Sequence, residues 1–152
     1  HLLQDILADG QDFPVELALP YEEVYARVAA HYGSLDEVQT PCLVHWDLWD
    51  GNIFVHPETK QITGYIDFER ALWADPLMEV NFGAFGENPA FLAGYGLDML
   101  DTAAKRCRRT LYNIYLFLIM VIEPYYRQFA DNGQEIWARE MLRQQLERLE
   151  EF

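Results

Sequence analysis

The segment HWDLWDGN, His45 to Asn52, contains residue types that could do chemistry. Asp47 and Asn52 stand five residues apart, with Gly51 between them, directly after an apolar run that predicts a strand. Because a second apolar run begins right after Asn52, the connection must be a tight loop that turns both side chains toward one point. Asp67 follows at the end of the next predicted strand, in YIDF. The sequence therefore predicts three oxygen-bearing side chains near one position.

An amide oxygen and a carboxylate that converge are hard oxygen ligands, which Mg²⁺ prefers beside substrate phosphates. We therefore expect Asn52 and Asp67 to bind Mg²⁺. Asp47 is then left as the group that accepts a proton from a substrate hydroxyl. A catalytic-loop Asp, an Asn five residues later and a strand-end Asp are the residues that protein kinases use for phosphoryl transfer.

Simpler structural interpretations exist for these residues. A single Asp at the end of a strand is more often a turn or capping residue than a ligand. The three side chains together, in a strand-loop-strand setting, favour a metal and phosphate site instead. His45 is predicted to brace the loop by hydrogen bonds rather than to act as a general base.

Helices are predicted over most of the first forty residues. Pro20 begins the segment PYEEVYARVAAHYG, and Gly33 ends it. Four residues of this segment share one face at helical spacing: Val24, Tyr25, Val28 and Tyr32.

Three short runs of β type come next, CLVH, NIFVH and QITGYIDF. The last two flank the turn-like PETK and predict a hairpin. Everything after Asp75-Pro76 is predicted to be helical, with Asp75 as the N-cap of the first turn.

Two longer helices are predicted toward the carboxyl end. One runs from Thr102 to Phe129 with a kink at Pro124, and an amphipathic helix follows DNG, with the stripe Leu142, Leu146, Leu149 and Phe152. The predicted fold class is α+β, mainly α: a helical body that carries one small catalytic β-hairpin.

Composition limits the possible partners. The chain has 152 residues, of which 51% are hydrophobic, so one domain with a buried core is expected. A net charge of -14 repels a phosphate backbone and argues against a nucleic-acid partner. The basic cluster KRCRR, Lys105 to Arg109, is predicted to be a solvated helix face rather than a binding patch.

The two cysteines, Cys42 and Cys107, lack the spacing of a disulfide framework or a zinc site, which fits a reducing cytoplasm. The longest apolar run, Ile114 to Ile122, is shorter than the ~20 residues that a membrane span needs. We therefore predict a cytoplasmic protein with no membrane partner.

The segments VHWDLWDGN and GYIDFERALWADP resemble the aminoglycoside phosphotransferase and choline kinase family, which has a protein-kinase-like fold. The catalytic loop of that family reads His-x-Asp with an Asn five residues after the Asp, and its metal-binding segment reads Asp-[Phe/Trp], then Asp-Pro. The resemblance is most specific from Leu43 to Glu79. It implies Mg²⁺, ATP (or GTP) as phosphate donor, and these roles: Asp47 as catalytic base, Asn52 and Asp67 as Mg²⁺ ligands, His45 as loop brace, and Asp75 as helix cap.

Some residues depart from the protein-kinase pattern. Trp46 stands where protein kinases carry Arg, Trp49 where they carry Lys, and Glu69 where they carry Gly, which favours a small-molecule kinase. Trp49 and Glu69 are candidate substrate contacts, although packing of Trp49 on the lobe and pairing of Glu69 with neighbours of Arg70 are open alternatives. Acidic side chains are candidates to line the acceptor pocket: Glu79, Glu87, Asp98 and Glu123.

The resemblance also implies an amino-terminal lobe that grips ATP with a strand Lys. The only lysines are Lys60 and Lys105, and no glycine-rich loop precedes His45. The chain, residues 1–152, begins with His1 rather than Met, so we interpret it as a single domain that is the carboxy-terminal lobe of such a kinase. Its expected partners are the missing amino-terminal lobe and a small-molecule substrate.

The function expected from the resemblance is ATP-dependent phosphorylation of a hydroxyl on a small molecule, which the acidic charge suggests could contain an amino group. We expect the isolated chain to be inactive. The alternative is a kinase-like binding or scaffold module without catalysis. The sequence leaves the substrate open among aminoglycosides, macrolides, choline-like compounds, amino acids and sugar-amine adducts.

Overall fold

Along the chain, helices precede and follow a stretch of very short strands in the computed structural model, which describes residues 2–79, 82–87, 89–95, 102–128 and 131–152. The chain divides into two compact units. His1–Glu37 and Leu100–Phe152 form the first unit, and Val38–Met99 form the second. No helix within the described ranges is both long and apolar enough to cross a membrane.

The first unit contains four α-helices in the part that the structure describes: α1 (Leu2–Asp12), α2 (Tyr21–Ala29), α4 (Ala103–Arg127) and α5 (Gly133–Arg148). Its core comes largely from α4 and α5, where Ile114, Leu118 and Leu142 have no solvent exposure. Burying such a side chain contributes roughly 1.5–3 kcal/mol. The sequence predicted the long helices of this unit well, because apolar spacing that repeats over several turns distinguishes an amphipathic helix from a strand or a loop.

The boundaries of these helices differ slightly from the predicted ones. Pro20 is the N-cap of α2, which ends at Ala29 and gives way to a 3-10 turn over Tyr32–Glu37. Thr102 caps α4 through a hydrogen bond from the backbone N–H of Lys105 to its Oγ1 (3.1 Å). Pro124 lies inside α4 as predicted, and the predicted last residue, Phe129, lies outside the described residues.

The predicted amphipathic stripe is confirmed for its leucines, of which Leu142 and Leu146 lie in α5 and Leu149 directly follows it. Leu142, Leu146 and Leu149 are at most 1% exposed, whereas Phe152 is 40% exposed.

The prediction that KRCRR is a solvated helix face was wrong. Cys107, Arg108 and Arg109 are all buried. The Arg108 guanidinium donates to the Glu37 carboxylate (3.0 Å) and to the backbone oxygen of Ser34 (3.2 Å). The physical reason is that α4 contacts α1, α5 and the 3-10 turn at once, so arginines on several sides of it find partners inside the unit.

The second unit contains antiparallel two-stranded sheets. Strand β2 (Ile53–Val55) pairs with β3 (Ile62–Tyr65), and Ile53 lies opposite Tyr65. The hairpin predicted for this region is therefore confirmed. Strand β1 (Cys42–Val44) pairs with β4 (Leu72–Ala74).

The prediction that only helices follow Asp75-Pro76 was wrong. A hairpin of β5 (Phe82–Gly83) and β6 (Gly86–Glu87) precedes the short helix α3 (Pro89–Tyr95). Gly83 pairs with Gly86 across this hairpin, and glycines at such positions favour a tight turn over a helix. Strand β4 was also missed, because three residues are too few to show an alternating pattern.

Candidate active site

Asn52 and Asp47 are in direct contact at the start of the β2–β3 hairpin. The Asn52 amide nitrogen Nδ2 donates to Asp47 Oδ2 (3.0 Å) and to the Asp47 backbone oxygen (2.9 Å). Backbone hydrogen bonds from Trp49 to Asp47 (3.0 Å) and from Asn52 to Trp49 (2.9 Å) close the loop between them. Asn52 is buried, and its Oδ1 accepts no hydrogen bond from a described residue, so this oxygen is available to a ligand.

His45 connects this loop to the segment that leads into Asp67. Its Nδ1 accepts a hydrogen bond from the backbone N–H of Asp47 (3.3 Å), which leaves Nε2 as the protonated nitrogen that donates to the backbone oxygen of Ile66 (2.9 Å). The ring also packs against Phe68, with centroids 4.5 Å apart. These contacts are those of a brace, which is the role expected for His45.

Asp67 lies just beyond the paired part of the hairpin. The backbone N–H of Ile66 donates to the backbone oxygen of Asn52 (3.1 Å), so Asp67 is the next residue past the point where the two strands meet. Asp67 has a left-handed backbone, with φ 64° and ψ 59°, a conformation that Asp tolerates better than most residues. Its side chain is exposed.

Trp46 also has a left-handed backbone, with φ 62°, and its side chain is buried. Such a conformation costs on the order of 1–3 kcal/mol for a residue other than glycine. The backbone N–H groups of His45 and Trp46 both donate to Oε2 of Glu79, at 3.1 and 3.2 Å. The sequence did not predict this contact. Glu79 stands among apolar residues in the sequence, and that pattern does not show which backbone N–H groups its carboxylate will accept from.

The predicted acidic pocket lining is therefore not formed by Glu79, which is 1% exposed. Glu123 is also buried, and it pairs with Arg127 one turn along α4 (2.6 Å). Asp98 and the side chain of Glu87 lie outside the described residues.

Asp75 caps the 3-10 turn Pro76–Met78, as its position before Pro76 predicted. Its Oδ1 accepts a hydrogen bond from the backbone N–H of Leu77 (3.1 Å).

Burial, together with the nearby Cys42 thiol and the carboxylates of Glu79 and Asp75, raises the pKa of Tyr95.

The two candidate substrate contacts are both on the surface. Trp49 is 62% exposed, and one edge of its indole lies against the backbone of Gly51, where an added Cβ would be only 2.3 Å from the ring. Glu69 is exposed in the 3-10 turn Phe68–Arg70. Their roles toward a substrate stay predictions.

The chain matches the model of the phosphotransferase enzyme family over residues 3–109, a range that includes all the residues of this site. The chain belongs to the phosphotransferase enzyme family. This confirms the resemblance inferred from Leu43 to Glu79, and the family match also extends into the region before Pro20. No curated protein and no solved structure matched the chain.

The family chemistry raises the question of whether these residues fit Mg²⁺. Within the described ranges, no group of three or more His, Cys, Asp or Glu side chains could hold a metal ion. Mg²⁺ at a phosphate site usually takes only one or two protein oxygens and completes its shell with phosphates and water. The Asn52 oxygen and the exposed Asp67 carboxylate are oxygen donors of the type that Mg²⁺ takes, and their sharing of one ion stays a prediction.

Proposed function

We propose that this chain is the catalytic half of an ATP-dependent (or GTP-dependent) phosphotransferase that acts on a hydroxyl group of a small molecule. The observation that carries the proposal is the contact between Asn52 and Asp47, because it orients a carboxylate and an amide oxygen at one loop. Family membership supports phosphoryl transfer in general, and the loop geometry supports the specific roles.

Asp47 is the residue that acts on the acceptor. Its Oδ2 is occupied by Asn52, and its Oδ1 accepts no hydrogen bond from a described residue. Oδ1 can therefore orient the acceptor hydroxyl and take its proton while the hydroxyl oxygen bonds to the terminal phosphorus. The bond from that phosphorus to the nucleoside diphosphate breaks, and the diphosphate leaves. Catalysis of this kind consists mainly of positioning and charge stabilisation.

Asn52 and Asp67 would hold Mg²⁺. When bound, the ion neutralises charge on the nucleotide phosphates. The chain's contribution is to hold these ligands in place. The Asn52 amide is held by its two hydrogen bonds to Asp47. The position of Asp67 is set by the preceding residue, Ile66, whose backbone N–H donates to the backbone oxygen of Asn52.

A cationic or amino-containing acceptor fits the electrostatics best. The chain carries a net charge of -14, and Glu69 is exposed two residues after Asp67. The exposed indole of Trp49 adds a ring face that attracts cations.

A further lobe of the same protein would complete the site. Leu43 and Trp73 are neighbours across the β1–β4 pair and are 54% and 74% exposed, and Phe54 and Ile62 of the hairpin are more than half exposed. Exposed apolar side chains that are neighbours, such as Leu43 and Trp73, favour an interaction site. We propose that the amino-terminal, nucleotide-gripping lobe covers it, that the isolated chain is inactive, and that the protein works in the cytoplasm without a nucleic-acid or membrane partner.

The second candidate function is a kinase-like scaffold without catalysis. Trp49 favours it, because an indole replaces a residue that is charged in protein kinases. The Asp47–Asn52 contact argues against it, since a scaffold does not need that orientation.

The test is Asp47→Asn in the protein that carries both lobes. We expect kcat to fall by about 100-fold to 10,000-fold, the range for loss of a general base, while nucleotide affinity stays the same. The matched control is Asp50→Asn, which alters an exposed carboxylate in the same loop. Equal kcat for Asp47→Asn and the control would disprove the role of Asp47 and favour the scaffold.

Asp67→Ala tests the metal site separately. We expect the Mg²⁺ concentration at half-maximal nucleotide binding to rise by about tenfold or more, since even outer-shell partners of a metal contribute that much. A calorimetric titration measures it, and an unchanged Mg²⁺ requirement would remove Asp67 from the site.

A further inference from the structure

We propose that one exposed face of the first, helical unit docks a partner protein, which binds there through a helix that carries arginines. This face, which we call the α1 face, combines an aromatic pair with a row of carboxylates. Its residues come from α1, the turn after it and α4: Asp5, Asp9, Asp12, Phe13, Tyr115 and Tyr126. The inference does not depend on the proposed function, since it uses none of the catalytic residues.

The apolar centre of the α1 face is the pair of Phe13 and Tyr126. Phe13 directly follows α1 and is 37% exposed, and Tyr126 of α4 is 41% exposed. Their rings meet edge to face, with centroids 5.2 Å apart. Aromatic side chains are enriched in the centre of protein interfaces, so an exposed pair of this kind favours a protein partner.

A row of carboxylates borders this aromatic pair. Asp5, Asp9 and Asp12 are exposed and stand at positions i, i+4 and i+7, so they share one side of α1. The Tyr126 hydroxyl donates to Oδ2 of Asp9 (3.2 Å). Burial, and after it the carboxylates of Asp5 and Asp9, raise the pKa of Tyr115. The aspartates of α1 and the tyrosines of α4 therefore lie side by side.

The three carboxylates are unfavourable for α1 by itself. Like charges four residues apart repel along a helix, and carboxylates in its last turn oppose the helix dipole. Asp12 is the last residue of α1, and the last turn contains no basic residue. Within the part of the chain that the structure describes, none of the three aspartates forms an ion pair. A cationic partner removes this repulsion.

Charge complementarity identifies the chemistry of the partner. Six carboxylates and no Lys or Arg occur in residues 2–26. Arg127, the neighbour of Tyr126 in the sequence, pairs with Glu123 (2.6 Å). Arginine matches the α1 face best, because its planar guanidinium bonds a carboxylate through two N–H groups and also stacks on aromatic rings. Arginines one turn apart on a partner helix can reach the aspartates in succession.

Shape and charge favour a separate protein over other occupants of the α1 face. The aspartates extend about 10 Å along the outside of α1, whereas small-molecule sites are concave. A second copy of the chain carries the same net charge of -14, so the two copies repel each other. The exposed apolar pair proposed to meet the amino-terminal lobe, Leu43 and Trp73, belongs to the second unit.

Fluorescence anisotropy of a labelled peptide tests the docking directly. The probe is an alanine-based helical peptide with arginines at i, i+4 and i+7, and the control peptide has the same arginines spread around the helix. At about 0.1 M salt, where distant charges are screened, we expect the probe to bind the dilute chain at least about fivefold more tightly than the control peptide. Equal affinities, or no saturable binding of the probe, would overturn the proposal.

Matched variants of the chain locate the binding on the α1 face. Asp5→Asn, Asp9→Asn and Asp12→Asn combined should weaken binding of the probe by about tenfold or more, since three ion pairs are lost. The control variant removes three exposed carboxylates elsewhere and should change the affinity by less than about twofold: Asp36→Asn, Glu58→Gln and Glu151→Gln. Equal losses in the two variants would show attraction by net charge alone and refute the docking site.

Urea unfolding separates docking from a structural role of the aspartates. The variant with all three aspartates replaced loses repulsion, and the amide oxygen of Asp9→Asn still accepts from Tyr126. Its urea midpoint should therefore stay the same or rise. A lower midpoint would assign the aspartates to the stability of the fold and contradict the proposal.

Two further measurements decide between occupants. If spermine binds the chain as tightly as the probe does, the α1 face takes a small cation, and the partner protein is excluded. If the protein with both lobes fails to bind the probe, the amino-terminal lobe covers the face instead. The proposal requires weaker binding of spermine, and the same affinity for the probe with and without the other lobe.

Discussion

Gly51 allows the indole of Trp49 to lie against the backbone of the catalytic loop. A Cβ at this position would meet the ring at 2.3 Å, a distance that requires the ring to move. Because Trp49 is 62% exposed, its side chain can turn away into solvent instead of forcing the backbone to shift. Gly51 is therefore expected to determine the position of the Trp49 indole and to contribute little to the stability of the fold.

Gly51→Ala should displace the indole at a modest cost, below about 2 kcal/mol in the free energy of unfolding. The emission of Trp49 should change, and the loss should nearly vanish in a Trp49→Ala background, which a double-mutant cycle of urea unfolding measures. Gly64→Ala is the control, since nothing lies within 4 Å of a Cβ at that glycine. A loss in Gly51→Ala that persists without Trp49 would show that another contact requires the glycine.

Residue types and spacing predicted that Asp47 and Asn52 turn toward one point, and the structure confirms their contact, while the roles of Asp47, Asn52 and Asp67 stay predictions. They did not predict the left-handed backbone of Trp46 or the partner of Glu79. No local preference signals a positive φ in a tryptophan, and the backbone N–H of Trp46 bonds to Glu79, 33 positions along the chain.

Among the helices and strands, the contact between α4 and α5 is the strongest determinant of the first unit. Leu142 of α5 has no solvent exposure, whereas Ile136 on the same helix is 57% exposed. The two aliphatic side chains are close in size and differ mainly in burial.

Leu142→Ala should therefore cost about 2–5 kcal/mol in the free energy of unfolding, since it removes buried methyl groups and leaves a cavity. Ile136→Ala should change it by less than about 1 kcal/mol. Urea unfolding followed by the circular dichroism of the helices compares the two, and equal losses would contradict the assignment of Leu142 to the core.

The sequence was more informative about helices than about strands for a physical reason. A helix such as α4 repeats its apolar spacing over 25 residues, and Thr102 and Lys105 add a local cap. Strand β4 has three residues, and its partner β1 ends at Val44, far upstream. Pairing over that separation depends on tertiary contacts, which short sequence windows do not record.

For the molecule as a whole, five partly exposed tyrosines with raised pKa values predict a limit to stability at alkaline pH. Burial is the largest cause that raises the pKa in each of five tyrosines of the helical unit, which are Tyr21, Tyr32, Tyr115, Tyr125 and Tyr126. The unfolded chain loses the same protons near the ordinary tyrosine pKa of about 10. The folded state therefore holds these protons more tightly, and its advantage is complete below that pH.

Stability should fall as the pH rises above about 10 toward the raised pKa values of the folded state. Urea midpoints at several alkaline pH values, with tyrosinate absorbance measured in parallel, check this. Tyr125→Phe removes one of the titrating groups, so its midpoint should fall less steeply with pH. A midpoint that is flat through this range would contradict the raised pKa values of these tyrosines in the folded state.

The exposed pair of Leu43 and Trp73 has a consequence for the colloidal behaviour of the chain produced by itself. A net charge of -14 keeps copies apart at low ionic strength, where repulsion reaches far into the solvent. At 0.1 M salt this repulsion is screened within about 10 Å, and the apolar pair is then free to join one copy to another. We therefore expect the chain to stay as single molecules at low ionic strength and to self-associate as the salt concentration rises.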